Sequence, residues 1–154
     1  MKKNCLVLVV LVLAGLGFAS SADAAANRAV AGVASVKGKP TLVLSGTNRL
    51  ENFQVTRYAA TPPEEDPISG KEVPVYAISE NVHGLGLASD SLSGRCWAML
   101  GDVYCRVNGI KSVIAKLGGG HDSFLAEKGL QVTVDGGSGD DTISAGAGND
   151  NLFG

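Results

Sequence analysis

The sequence predicts an all-β protein, and two observations support that fold class. The last third of the chain repeats every nine residues, and each copy ends in a short segment of strand length. The part before it contains several runs of alternating apolar and polar residues, which is the period of a half-buried strand, and no helical pattern of convincing length. We therefore expect strands throughout, joined by repetitive turns in the C-terminal third.

The nine-residue repeat has a fixed order of residue types. Residues 136–144 follow G-G-x-G-x-D-x-U-x at every position, where U is a large apolar residue, and residues 145–153 follow it with Ala145 in place of the first glycine. Residues 117–125 form an earlier copy that departs only at Leu117. The residues at U, which we expect to face the core, are Phe124, Ile143 and Leu152.

Glycine and aspartate at these positions suit the binding of calcium. Glycine permits sharp backbone turns that direct carbonyl oxygens towards one point, and calcium takes six to eight oxygen ligands, with carboxylates supplying the charge. Residues 117–154 also contain six acidic residues and one basic residue. The expected metal-site residues are Gly118, Gly120, Asp122, Gly137, Gly139, Asp141 and Asp150.

The repeat resembles the calcium-binding nonapeptide of hemolysin-type (RTX) proteins. The resemblance implies a parallel β-roll or β-helix, in which two nonapeptides make one turn and ions lie between loops stacked on one edge. Asp122 and Asp141 are nineteen residues apart, so we expect them to stack and to share one well-formed site. Asp150 should lie on the opposite edge, in an open or incomplete site. The alternative is a flexible, acidic, glycine-rich tail.

Three segments follow from these patterns. Residues 1–24 are predicted to be a secretory signal peptide, because two lysines precede a short apolar stretch that ends near an A-x-A cleavage site. A retained membrane anchor is the alternative, and we expect no stable membrane span once the signal is removed. Residues 25–116 are predicted to form irregular β-turns that cap the roll, with a separate β-sandwich as the alternative. Residues 117–154 hold the repeats.

Within residues 25–116, the alternating segments predict individual strands and one loop. The predicted strands lie at residues 41–47, 53–56, 73–78 and 110–116. Residues 61–67 contain three prolines and three acidic residues and are predicted to be a surface loop.

Removal of the signal peptide leaves two cysteines, Cys96 and Cys105. An even number in an exported chain favours a disulfide bond, which would close a hairpin around Gly101 and Asp102. Unpaired cytosolic thiols are the alternative. A zinc site is disfavoured, because no second cysteine pair or histidine lies near these cysteines in the sequence.

No catalytic motif is present, since neither G-x-S-x-G nor H-E-x-x-H occurs. No basic stripe or aromatic platform suggests nucleic acid as a partner. We therefore expect a secreted, non-enzymatic protein that binds calcium ions and folds on binding them outside the cell. Two alternatives stay open. One is a surface adhesion module stiffened by calcium, with an unknown protein or glycan partner; the other is a fragment of a larger secreted RTX enzyme.

Overall fold

The structure is a computed structural model that describes residues 28–59, 71–88 and 94–154. Two predictions, the signal peptide at residues 1–24 and the proline-rich loop at residues 61–67, lie outside the described residues. The described ranges contain strands and turns but no helix. They accordingly hold no helix with the length and apolar character needed to cross a membrane.

Twelve strands make up the described part of the chain, which confirms the predicted all-β fold class. They are β1 (Val30–Val36), β2 (Lys39–Ser45), β3 (Asn52–Tyr58), β4 (Val75–Glu80), β5 (Gly86–Leu87), β6 (Cys96–Met99), β7 (Asp102–Arg106), β8 (Ser112–Lys116), β9 (Ser123–Ala126), β10 (Gln131–Asp135), β11 (Thr142–Ser144) and β12 (Asn151–Phe153). The four strands predicted before the repeats correspond to β2, β3, β4 and β8.

The strands form two six-stranded sheets with a common core. The first sheet has the order β12-β10-β8-β2-β1-β5, and the second has the order β11-β9-β3-β4-β7-β6. Leu42 and Leu44 of β2 pack in the same buried cluster as Phe53 and Val55 of β3, and each is at most 1% exposed. Because side chains alternate between the faces of a strand, these alternate positions place one face of each sheet in the core.

Along the C-terminal third, successive strands alternate between the two sheets. Strands β8, β10 and β12 lie in the first sheet, β9 and β11 lie in the second, and neighbours within each sheet pair in parallel. Strands β2 and β3 continue the pattern, because they pair in parallel with β8 and β9. The chain therefore passes from the first sheet to the second after β2, after β8 and after β10.

The other strands are mostly paired in antiparallel fashion. A tight turn at Lys37 and Gly38, with φ of 51° and 76°, joins β1 to its antiparallel partner β2. In the second sheet, β3, β4, β7 and β6 are antiparallel neighbours in that order. Both sheets are therefore mixed. In the described parts of residues 25–116, the segments that alternate apolar and polar residues pair as regular strands.

The apolar residues of the repeats are buried to different degrees. Phe124 on β9 is 1% exposed, Ile143 on β11 is half-buried, and Leu152 on β12 is 48% exposed. Leu152 is in register with Val134 of β10, which is fully buried, so both belong to the core face of the first sheet. The exposure grows because β11 and β12 are the last strands of their sheets, and no further strand in the described ranges covers them.

A disulfide bond joins Cys96 to Cys105, as predicted. The two residues are direct partners in the antiparallel register of β6 and β7. Leu100 and Gly101 form the turn between these strands, one residue earlier than the predicted pair. Both cysteines are buried in the core between the sheets, so the bond anchors the outermost hairpin of the second sheet.

Reduction of this disulfide is expected to lower the free energy of unfolding by about 2–3 kcal/mol, because the bond removes conformational entropy from the unfolded chain. The measurement is urea unfolding with and without reductant, and the control is the Cys96→Ser/Cys105→Ser double variant. Reductant should shift the midpoint of the wild-type protein and leave that of the double variant unchanged. Equal midpoints for oxidised and reduced wild-type protein would show that the bond adds no stability.

Candidate metal site

Three loops stack on one another at the edge where the chain passes from the first sheet to the second. The first loop comprises residues 46–51, the second loop residues 117–122, and the third loop residues 136–141. The strands that follow them, β3, β9 and β11, are in parallel register, so equivalent positions of neighbouring loops lie side by side. The predicted stacking of Asp122 on Asp141, at a spacing of nineteen residues, is confirmed.

Glycine is required where these loops touch, because backbone meets backbone. A Cβ atom on Gly118 would overlap the carbonyl oxygen of Thr47, and one on Gly137 would overlap the carbonyl oxygen of Gly118. Gly139 faces the carbonyl oxygen of Gly120 in the same way. Gly137 and Gly139 also have φ of 91° and 129°, which residues with a side chain rarely adopt. The glycines predicted for the metal site are thus the positions at which stacking excludes a side chain.

The first loop is a degenerate repeat that the sequence analysis missed. In register with the second loop, Gly46 stands at the first position, Glu51 at the position of the aspartate, and Phe53 at the position of the buried apolar residue. The residue spacing of the first loop could have identified it from the sequence. The spacing from Gly46 to an acidic residue and then to an apolar residue is the spacing of the repeat.

A steric argument explains why the first loop does without two of the glycines. At the second and fourth positions of a loop, the Cβ atom would point at the loop before it, and Gly118 and Gly120 accordingly face the carbonyl oxygens of Thr47 and Arg49. No described loop precedes the first loop in this stack, because β2 and β3 have the antiparallel strands β1 and β4 on their other sides. Thr47 and Arg49 therefore keep their side chains.

The carboxylates of Asp122 and Asp141 each contact the preceding loop. Asp122 Oδ1 accepts a hydrogen bond from Glu51 N at 2.8 Å, and Asp141 Oδ1 accepts one from Asp122 N at 2.9 Å. The second oxygen of each carboxylate, Oδ2, is buried and has no hydrogen-bond donor among the described residues. A buried polar atom without a partner costs about 1–3 kcal/mol, and a charged one costs more. A positive charge beside these oxygens would remove that cost.

Glu51 is as deeply buried as Asp122, but both of its carboxylate oxygens have partners. Oε2 accepts a hydrogen bond from Thr47 N at 3.1 Å, and Oε1 accepts one from the Thr47 hydroxyl. The glutamate therefore closes its own loop. Nearby Glu80 is also buried, and it accepts hydrogen bonds from the backbone N–H groups of Asn52, Val82 and His83.

Burial shifts the titration of the loop carboxylates. It raises the pKa of Asp122 above the ordinary value of 3.8, and the negative charge of Asp141 adds to the rise, although the hydrogen bond from Glu51 N offsets part of it. Burial also raises the pKa of Glu51 above 4.5, against the hydrogen bonds from Thr47. Both shifts mean that the folded loops disfavour the charged carboxylates when no cation neutralises them.

In a buffer that contains a chelator, acidification from neutral pH towards 3.8 is expected to stabilise the wild-type protein relative to Asp122→Asn. The unfolded carboxyl titrates near 3.8, and the folded one takes up its proton at a higher pH. The cost of the buried charge is therefore present above the folded pKa and is relieved as the pH falls through it. Midpoints of thermal unfolding measure the difference between the two proteins, and a difference independent of pH would contradict a charged, buried Asp122.

Asp150 lies on the opposite edge, as predicted. It precedes β12, and its Oδ1 accepts a hydrogen bond from Val132 N at 2.9 Å. The preceding connection on that edge joins β9 to β10 and contains Glu127. This residue is exposed, and its carboxylate accepts a hydrogen bond from Arg57 N at 3.0 Å. The structure therefore separates Asp150 from Asp122 and Asp141.

The described ranges hold no group of three His, Cys, Asp or Glu side chains placed to bind one metal ion. His121 in the second loop is exposed, and its Nδ1 accepts a hydrogen bond from Asp140 N at 3.2 Å. His83 is exposed as well. Calcium takes six to eight oxygens, so a cation in the stack would need backbone carbonyl oxygens or water as well as carboxylate ligands.

A scan of the chain against models of protein families finds no match, and searches of curated proteins and of solved structures likewise find none. The assignment of a function therefore rests on the chemistry of the three loops.

Proposed function

We propose that the protein binds calcium between its stacked loops, as hemolysin-type nonapeptide repeats do. The observation that carries this proposal is the pair of buried oxygens, Asp122 Oδ2 and Asp141 Oδ2, for which the described residues provide no hydrogen-bond donor. Burying a charged carboxylate that has one oxygen without a hydrogen-bond donor is unfavourable, and a bound cation offsets the cost. The loops also offer closely spaced backbone carbonyls, because glycine lets them approach one another.

The donor chemistry favours calcium over other metal ions. The stack offers carboxylate and carbonyl oxygens, which are the ligands of hard cations. Zinc and related metals favour imidazole and thiolate ligands, and the one such residue of the three loops, His121, is exposed. Magnesium needs near-octahedral geometry and keeps several waters, whereas calcium accepts six to eight oxygens in a flexible arrangement. Loops built largely from glycine backbone fit the second requirement.

The predicted metal-site residues divide into two groups by role. Four glycines, Gly118, Gly120, Gly137 and Gly139, let the second and third loops pack closely and so bring carbonyl oxygens together. Asp122 and Asp141 supply the negative charge that calcium binding needs. Asp150 serves only an incomplete site on the opposite edge, since the segment beneath it supplies no equivalent aspartate.

We also propose that the alternating strands β8 to β12 form a parallel β-roll that calcium stabilises. Parallel pairing within each sheet, and alternation between sheets along the chain, support this architecture. Without the ion, the acidic loops repel one another, so complete folding requires an environment rich in calcium. The predicted signal peptide and the Cys96–Cys105 disulfide are compatible with secretion to such an environment.

Calorimetric titration of the mature protein tests the proposed function. Calcium is expected to bind with a dissociation constant of about 10⁻⁴–10⁻³ M, which is the range of extracellular calcium modules. Magnesium at the same concentration should bind more weakly, and circular dichroism should show an increase in β-sheet signal on addition of calcium. Absence of both binding and spectral change at about 10 mM calcium would reject the proposal, since that concentration exceeds the expected range.

A further inference from the structure

We propose a second divalent-cation site, between the first and second loops, at which Asp122 and Glu51 supply the charge. The proposal rests on the calcium function proposed above and extends it to a loop that lacks the glycine pattern. The nonapeptide pattern alone predicts one complete site on this edge, between the second and third loops. The structure gives three reasons to place another ion one loop earlier.

The first reason is that the two aspartate carboxylates lie in different gaps. Asp122 Oδ1 is held by the backbone N–H of Glu51 in the first loop, whereas Asp141 Oδ1 is held by the backbone N–H of Asp122 in the second. Asp122 is only 2% exposed, and its Oδ2 has no donor among the described residues. An ion between the second and third loops would satisfy Asp141 and leave the carboxylate of Asp122 directed at the first loop.

The second reason is that the backbone contacts between the first and second loops, which we call the upper gap, repeat those between the second and third loops, the lower gap. Gly119 N donates to Thr47 O at 2.9 Å, and at the equivalent positions one loop later Ser138 N donates to Gly118 O at 3.0 Å. Calcium takes many of its ligands from backbone carbonyls. The side chains that obscure the repeat in the first loop therefore do not remove its carbonyl oxygens from the stack.

The third reason is the second carboxylate of the upper gap. Glu51 occupies the aspartate position of the first loop and is 1% exposed. Each of its oxygens accepts one hydrogen bond from Thr47, which leaves a further lone pair on each for a cation. The backbone N–H of Glu51 donates the 2.8 Å hydrogen bond to Asp122 Oδ1, so the two residues are neighbours, and the charge of Asp122 acts on the carboxylate of Glu51. Two buried negative charges at adjacent positions repel one another unless a cation lies between them.

Thr47 provides the competing explanation for the same geometry. Its hydrogen bonds to Glu51 close the first loop, and this closure would make the first loop an end cap that needs no metal ion. The two explanations differ in the number of ions that each chain binds on this edge. They also differ in whether that number depends on the charge of Glu51.

Native mass spectrometry at the lowest calcium concentration that saturates the parent protein counts the ions directly. All proteins carry Asp150→Asn, so that the opposite edge makes no contribution. We expect two calcium ions in this parent protein, one after Glu51→Gln and one after Asp141→Asn. The matched control is Glu72→Gln, which removes the same charge from an exposed residue outside the loops and should retain two ions.

The possible counts separate the two proposals. One ion in both the parent and Glu51→Gln would overturn the second site and leave the calcium function intact, whereas no ion in the parent would overturn both. Two ions in both proteins would exclude Glu51 as a ligand and also overturn the proposal. Circular dichroism in calcium verifies that each variant folds. If Glu51→Gln does not fold, the ion count of the parent protein alone tests the second site. Two ions in the parent would support that site, and one ion would reject it.

Discussion

Replacement of Gly137 by alanine is expected to lower the free energy of unfolding by about 2–5 kcal/mol, because the added methyl group has no space and the backbone is left-handed. A Cβ atom at this position would overlap the carbonyl oxygen of Gly118 in the second loop, and the φ of 91° is one that residues with a side chain rarely adopt. Overpacking costs about 1–3 kcal/mol, and left-handed backbone costs about 1–2 kcal/mol more. The third loop should then separate from the second.

Gly129→Ala is the matched control for this variant. Gly129 has a similar φ of 98°, but a Cβ atom there meets nothing within 4 Å. Its replacement should therefore carry only the backbone cost of about 1–2 kcal/mol. Urea unfolding of the two variants in calcium gives the comparison. Equal losses of stability would contradict the close contact between the backbones of the second and third loops.

Asp141→Asn is expected to weaken calcium binding between the second and third loops by at least about tenfold, because calcium affinity depends on the charge of the ligands. Asparagine keeps an oxygen that can accept the hydrogen bond from Asp122 N, so the backbone contacts between the loops should be retained at saturating calcium. The variant thus separates the charge of the side chain from its structural role. Calorimetric titration with calcium measures the loss of affinity.

Two other acidic residues of the repeats serve as controls for Asp141. Asp140→Asn removes the same charge from an exposed position in the same loop, and Asp150→Asn removes it from the opposite edge. Both variants should bind calcium between the second and third loops with nearly the affinity of the wild-type protein. If Asp140→Asn weakens binding as much as Asp141→Asn does, the net charge of the segment attracts the ion and no defined site exists.

The sequence predicts the stacking of the second and third loops because the repeat constrains spacing. Glycine, aspartate and apolar residues recur at fixed intervals, and parallel strands in register require this recurrence. The offset between Asp122 and Asp141 therefore indicates which loops lie together, and the structure has that register. The disulfide is predictable for a different reason, since only two cysteines follow the predicted signal peptide.

The first loop escapes prediction because its position in the stack relaxes the sequence pattern. Glycine is needed where a Cβ atom would strike the preceding loop, and Thr47 and Arg49 face no such loop. The antiparallel pairing of β1 with β2 and of β3 with β4 is equally hard to predict, since alternation of residue types identifies strands but not their partners. The burial of Leu152 is overestimated, because the pattern does not show where a sheet ends.

Thermal unfolding of the mature wild-type protein in chelator and in calcium tests the central claim most directly. At a calcium concentration about 100 times the dissociation constant, binding to the folded state alone stabilises it by about 2.7 kcal/mol per site. We expect the midpoint in calcium to be higher by roughly 10 °C, or a cooperative transition to occur only in calcium. Superimposable unfolding curves in the two buffers would show that the loops stack without a metal ion and would contradict the account.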